Sequence, residues 1–288
     1  MLKLIIDRPL NYLSPSSCQM AIKQPNTFYL QRLCSNRRER DPQTKGAAVG
    51  SAFDVEVKKK IWSEGISSNS KHLLPKLLDS VEDKEFKIEA YRIGKKILRD
   101  YVMLAYSLTE FGEVEIWKQF NFHGLVLYVK LDATCKDGPT KIICPFDWKC
   151  MGFNPDVKSV ISPKPKFYLK IEGQNICGGH KDYYHDMPME EIDCGWAFQT
   201  CTYGWAIGLS PNLDTPFPVR IDSKTITKTG IQRTTCYRGI VTPSFQKYVL
   251  QQYKTVWNDL QSGKFMNRLA SQYSTNLIYI ASLSESWF

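Results

Sequence analysis

The sequence predicts an α/β domain built on a mixed β-sheet, and three observations carry that reading. Apolar residues recur at helical spacing in the N-terminal third of the chain. From Val114 to Asp132 the text EVEIWKQFNFHGLVLYVKLDA alternates or runs apolar in the manner of strands, and a turn and a further strand lead on to Lys149. Helical and extended stretches then follow one another again. The order helix, helix, β-meander, helix, strands, helix is that of an α/β domain with a mixed sheet. With 288 residues, 43% of them hydrophobic, the chain can bury a substantial core. We read residues 1–288 as one domain carrying an insertion.

Ser14 before Pro15 reads as an N-cap with proline at the first helical position, opening a helix through Phe28, Tyr29 and Leu33. A basic segment, Asn36 to Lys45, follows. Ala47 to Trp62 reads as a second helix, because Val49, Phe53, Val57 and Ile61 form one apolar stripe. Asp54 and Glu56 lie on or beside it. Residues 63–80 read as a connection and 82–107 as another helix. After the strands that end at Asp132, Lys136-Asp137-Gly138-Pro139 is a turn, and Lys141 to Lys149 a third strand. Residues 151–193 are rich in Pro, Gly, Lys and aromatics without a clear period, which reads as a long insertion or lid. Trp196 to Leu209 returns to helix, stopped by Pro211. Residues 217–241 read as strands around turns. Pro243 to Leu269 reads as one long amphipathic helix with Phe245, Val249, Tyr253, Val256 and Leu260 on its apolar side.

Charged residues make up 23% of the chain, the composition of a folded protein rather than a disordered one. The formal charge of +9 would attract a polyanion through phosphate contacts and counterion release, which makes nucleic acid the leading partner class. No stretch approaches the roughly 20 apolar residues that span a bilayer. The opening MLKLIIDRPLNYLS lacks the apolar core of a secretory signal. The expectation is a soluble, cytoplasmic protein without a membrane partner. Nine cysteines, an odd number without framework spacing, predict reduced thiols serving mostly as core.

The chemistry-bearing group is Asp132, at the end of one strand, and Asp147-Trp148-Lys149, at the end of the next. Residues two apart on a strand share a face, so Asp147 and Lys149 project together and Trp148 the other way. Should the hairpin bring Asp132 alongside, two carboxylates and one ammonium converge. Such carboxylates suit a hard divalent cation, magnesium or manganese, with water and a phosphate oxygen completing an octahedron. The cation would acidify a water and neutralise charge growing on the phosphate, and Lys149 would hold that water or stabilise the phosphate. Alone, D-x-K arises by chance and is usually a solvated strand face.

Four stretches in order give it company. Leu13-Ser14-Pro15-Ser16-Ser17 leading to Phe28-Tyr29-Leu30, Gly50-Ser51-Ala52-Phe53-Asp54, Asp132 with Ile142-Ile143 and Asp147-Trp148-Lys149, and Gln199 with Tyr203 resemble the motifs of the PD-(D/E)XK nuclease superfamily. The likeness is to its RecB-like and phage-exonuclease-like branch, which has a Q-x-x-x-Y motif. The resemblance implies a restriction-endonuclease-like core, a central mixed sheet flanked by helices on both faces. It implies a metal-dependent DNA exonuclease of phage or bacterial recombination, repair or processing, loading one or two Mg2+ or Mn2+ ions. By the same resemblance Asp132, Asp147 and the backbone carbonyl of Trp148 would ligate metal, and Lys149 would assist the water. Gln199, Tyr203, Ser14 and Ser16 would support the site or the DNA backbone. Two positions depart from the family pattern. Asp54 replaces the motif-one histidine, so its role as a ligand is open, with Glu56 a rival on another helical face; and Val129-Lys130-Leu131 lacks the glycine often found before the central aspartate.

Other readings stand beside this one. Some relatives carry an iron–sulfur cluster on one N-terminal and three C-terminal cysteines, but the last cysteine here is Cys236, so Cys18 reads as a buried helix residue. Cys177 and His180 with His185 and Cys194 or Cys150 offer zinc ligands, though the irregular spacing favours a plain loop. Lys158, Lys164, Lys166, Phe167, Tyr168 and Lys170, with Lys181, Tyr183 and Tyr184, would suit a phosphate backbone and unpaired bases equally well as a solvated loop. Trp287-Phe288 reads as a packing tail or a protein contact, and the ring assemblies of phage relatives raise a homo-oligomer or a recombination or replication partner. The alternative function is a catalytically inactive nuclease-fold protein that binds nucleic acid or scaffolds a complex, motivated by the missing histidine.

Overall fold

In the computed structural model the chain is α/β, with a mixed six-stranded sheet flanked by helices. The structure describes residues 10–34, 45–63, 92–96, 110–151, 181–227 and 230–269. The strands are β1 (Phe111–Phe122), β2 (Leu125–Lys136), β3 (Ile143–Met151), β4 (Lys181–Pro188), β5 (Phe217–Thr227) and β6 (Gly230–Val241), in the spatial order β1-β2-β3-β5-β6-β4. β2 and β3 are antiparallel, as are β5 and β6, while β3 with β5 and β4 with β6 are parallel. His123 and Gly124, both at positive φ (47° and 81°), make the two-residue turn between β1 and β2. Among the described residues no helix is long and apolar enough to cross a membrane.

The chain divides into two compact units. The larger comprises Asp41–Lys118 and Val129–Gln246. Its helix α3 (Lys45–Ser63) lays the stripe Val49, Phe53, Val57 and Ile61 on Val114, Ala133, Cys135, Phe146 and Trp148 of the sheet. Each such buried side chain contributes roughly 1.5–3 kcal/mol of hydrophobic stabilisation. After the short α4 (Met189–Ile192), α5 (Cys194–Ala206) starts at Asp193, whose side chain accepts from Trp196 N at 2.8 Å. α5 lies close on the sheet: a Cβ at Gly204 would run into the Phe217 ring.

The smaller unit comprises Met1–Arg40, Gln119–Tyr128 and Lys247–Phe288. Here α1 (Pro15–Lys23) is closed by a capping box, in which Ser14 Oγ accepts from Ser17 N and Ser17 Oγ from Ser14 N at 2.7 Å. Leu13 bridges Leu127, and Phe28 meets Phe265 edge-on, ring centres 5.5 Å apart. The helix α6 (Pro243–Gln261) buries Val249, Tyr253, Val256 and Leu260 at helical spacing.

Four expectations change. The helix expected from Ser14 through Leu33 breaks at Gln24 (φ −140°), before α2 (Pro25–Phe28) and a π-helical turn, Tyr29–Leu33. Pro25 has no N–H to give and pushes its predecessor out of the helical region. The terminal helix stops at Gln261, because Gly263 takes φ +72°, and resumes over 264–269. The third strand begins at Ile143 rather than Lys141, which sits at φ +62°.

The fourth correction concerns the expected insertion or lid, 151–193. Its last part has regular structure, β4 and α4, with Tyr183 paired to Cys236 and Tyr184 to Tyr237. Of the helix expected over 82–107, residues 92–96 are described and helical. The rest of that helix, the connection 63–80 beyond Ser63, the lysines and aromatics from Lys158 to Lys170, Cys177, His180 and Trp287-Phe288 lie outside the described residues.

Candidate active site

β3 presents two faces. Phe146 and Trp148 turn toward α3 and enter its core, with their rings 4.9 Å apart. Strand alternation therefore sends Asp147 and Lys149 the other way, toward α5, where Lys149 Nζ donates to Gln199 Oε1 at 2.9 Å. β2 delivers the second acid. Ala133 faces Phe146 in the antiparallel ladder, so one step on Asp132 comes level with Asp147.

The two carboxyl groups are close enough for each to shift the other's titration. Burial pushes Asp147 well above the ordinary carboxylate range, and the charge of Asp132 adds to this while Lys149 opposes it. Asp132 feels the same penalty of burial, but Lys58, Asp147 and Lys149 together hold it below its ordinary value. Neither oxygen of Asp147 meets an aligned donor, and Lys149 Nζ, 2.6 Å from Oδ2, pairs with it by charge. Asp147 is 1% exposed, whereas the side chains of Asp132 and Lys149 are 22% and 19% exposed. The pair therefore opens to solvent on the side of Asp132 and Lys149. Lys149 loses charge stabilisation to burial, but Asp147 and Asp132 more than restore it, so it stays an ammonium.

α5 supplies the support. Gln199 and Tyr203, one helical turn apart, share a face, and the Gln199 amide donates to the Tyr203 hydroxyl. A relay Asp132, Asp147, Lys149, Gln199, Tyr203 results. Tyr203 is buried, and burial, with the nearby aspartates, raises its hydroxyl well above its ordinary value. Trp148 follows Asp147 in β3 with its ring in the core.

On the other side of Asp132 stand residues that sequence reasoning missed. Lys58 of α3 is fully buried and reaches Asp54 Oδ2 at 2.7 Å, Asp132 Oδ1 at 3.0 Å and Glu115 Oε2. Glu115 belongs to β1 and has φ +55°, a left-handed backbone that a side chain rarely adopts. The kink turns consecutive residues Val114 and Glu115 inward and breaks the alternation of the strand. Asp54, Glu115 and Asp132 bring one oxygen each to within 4.8 Å of one another, and among the described residues this is the group of acids, cysteines or histidines close enough to hold an ion. Burial, offset in part by Lys58, raises Asp54 to about 6. Glu56, the rival acid, is turned away and pairs with Lys59 at 3.2 Å.

The remaining predicted positions stand elsewhere. Ser14 and Ser16 belong to the smaller unit, where the Ser14 hydroxyl caps α1. Cys18 is buried in α1 and its thiol is pushed up to about 12 by burial. Cys194 is exposed at the start of α5, and Cys150 follows Lys149 in β3.

The donor set fits a hard divalent cation: every candidate ligand is an oxygen, from a carboxylate or the Trp148 carbonyl, and Asp147 offers two buried oxygens with no aligned donor. No family model matches the chain, and no curated protein matches its sequence.

Proposed function

We propose that the chain is a divalent-metal-dependent nuclease that hydrolyses phosphodiester bonds of DNA. The observation that carries this reading is Asp132 level with Asp147 across β2 and β3, with the Lys149 ammonium 2.6 Å from Asp147. The motif resemblance and the formal charge of +9 support it, the second because a basic chain attracts a phosphate backbone. In this reading Asp132 and Asp147 would hold the ion, and the Trp148 carbonyl is the further ligand that the resemblance implies. A magnesium or manganese ion would supply an acidified water and positive charge against the phosphate. Lys149, held as an ammonium, donates hydrogen bonds to the water or the phosphate oxygens rather than taking a proton. Gln199 fixes the direction of that ammonium, and Tyr203 fixes Gln199. An exonuclease of recombination, repair or processing is the form that the resemblance favours.

The test is digestion of end-labelled linear DNA by the purified chain with magnesium or manganese. Cleavage that needs the metal and disappears in Asp132→Asn is expected, with closed circles spared by an end-dependent enzyme. Intact DNA with both metals would overturn the activity.

One observation favours a second reading. An ammonium, Lys58, already neutralises the three-acid group that a metal would otherwise fill. A catalytically inactive, DNA-binding or scaffolding protein on this fold would show salt-dependent DNA binding with no cleavage and no metal-induced thermal shift.

A further inference from the structure

The three-acid group Asp54, Glu115 and Asp132 has the spacing of a cation site, yet its occupant is part of the chain. An ammonium has three N–H donors, and each of those of Lys58 meets a different carboxylate. The amine is 0% exposed, with no solvent to receive it if it were displaced. Glu115 is further committed, because its other oxygen takes Lys130 Nζ at 2.7 Å and Trp117 Nε1 at 3.0 Å. Its backbone is held at φ +55°, which aims that carboxylate inward at Lys58.

The opposite side of Asp132 differs. Asp147 is just as buried but has no aligned donor on either oxygen. Asp132 belongs to both groups, giving Oδ1 to Lys58 and standing level with Asp147 across β2 and β3. A divalent ion added among Asp54, Glu115 and Asp132 would have to displace a fully buried ammonium from three carboxylates, whereas one added at Asp132 and Asp147 meets only Lys149, whose partly exposed side chain has solvent to turn into.

We propose that Lys58 is a built-in cation that takes the place of a second divalent ion, so that the site loads a single ion between Asp132 and Asp147. The inference rests on the metal-dependent reading of the site above. Lys58 is then a positioning residue: it fixes Asp132 from behind and supplies, in every state of the protein, positive charge that a two-ion site would recruit from solution. Asp54, in the place of the family's histidine, serves to hold Lys58 rather than to ligate metal.

Titration of the full chain with Mn2+, followed by the loss of the free-ion electron paramagnetic resonance signal, reads the number of ions bound without any turnover. One Mn2+ per chain is expected. Two per chain would overturn the inference and leave the metal-dependent reading standing, whereas none would overturn that reading itself. Lys58→Met, verified as folded by circular dichroism, should bind two ions, and Lys58→Arg, which keeps the charge, should bind one. A folded Lys58→Met that still binds one ion would also overturn the inference. Should Lys58→Met fail to fold, two further variants decide. Glu115→Gln should keep the single Mn2+ with less than about tenfold loss of affinity, and Asp147→Asn should lose about a hundredfold or more; the reverse order contradicts the proposal.

Discussion

Lys149 pairs with Asp147 and Lys58 with Asp132, two aspartates level with each other across β2 and β3, and the two lysines are built differently. Lys149 comes from a strand, keeps 19% of its side chain in solvent and makes one ion pair and one hydrogen bond to an amide. Lys58 comes from a helix, is fully buried and spends all three donors on carboxylates. The first has room for a substrate oxygen and a partner, Gln199, that sets its direction; the second has neither. A positive charge at a site is thus available to chemistry only where some of its hydrogen-bonding capacity is left over. The difference also predicts that the two lysines fail differently when removed.

The largest effect falls on the solvent-facing side. Asp132→Asn or Asp147→Asn should reduce cleavage of linear DNA to background, and Lys149→Ala should lower it by about 10²–10⁴-fold while leaving DNA binding in place. Initial rates beside a salt-dependent binding assay separate the two. Activity that survives Lys149→Ala would dissolve the distinction between the lysines.

Stability should show the reverse order. Lys58→Met strands three carboxylates in or near the core and should cost about 3–5 kcal/mol in urea unfolding. Lys149→Met should cost only about 1–2 kcal/mol, because Lys149 is partly exposed and pairs with one carboxylate rather than three. Equal losses would mean that the two ammonium groups do the same work.

How far the residues announced this arrangement follows from range and period. Asp147 and Lys149 were legible as sharing a face because strand alternation assigns faces, whereas the level of Asp132 with Asp147 depends on the pairing of Lys136 with Ile143, which the Lys136-Asp137-Gly138-Pro139 turn alone does not set. The stripe Val49, Phe53, Val57, Ile61 likewise placed α3. Lys58 was not legible: in a run of three lysines it reads as a solvated face, and only the packed helix shows that one of them turns inward. Glu115 was hidden by its backbone, since an alternating E-V-E gives no sign of a residue at φ +55°. β4 was missed because its partner β6 lies about fifty residues later, and a parallel edge strand, here KDYYHDMP, shows neither a local turn nor apolar alternation. Ser262-Gly263, by contrast, is a visible stop inside the expected terminal helix, and α6 does end there.

A third ion pair, remote in role, gives a yardstick for Lys58. Arg238 grips Asp137 through two bonds, 2.5 and 2.9 Å, and both side chains are buried. Although burial works against it, Arg238 and Thr140 hold the Asp137 carboxyl down to about 2. A carboxyl depressed by folding stabilises above its unfolded value, about 3.9, and that stabilisation is lost as pH falls through the folded one. The stability difference between the wild type and Asp137→Asn should therefore be full at neutral pH, about 3 kcal/mol, and shrink between about pH 4 and pH 2. Denaturant midpoints at pH 7, 4 and 2.5 check the sign, and cleavage by the folded variant should be unaffected at pH 7.

The smallest effect belongs to Tyr203→Phe, which removes the acceptor that orients the Gln199 amide. It should lower kcat about tenfold with KM unchanged and cost about 1 kcal/mol of stability. A change confined to KM would place Tyr203 against the substrate instead of behind Lys149.

The most direct measurement is anomalous scattering from a crystal of the chain soaked in manganese. One peak within coordinating distance of Asp132 and Asp147 is predicted, with Lys58 still seated among Asp54, Glu115 and Asp132. A soaked crystal with no peak between the two aspartates contradicts the metal-dependent chemistry assigned to them.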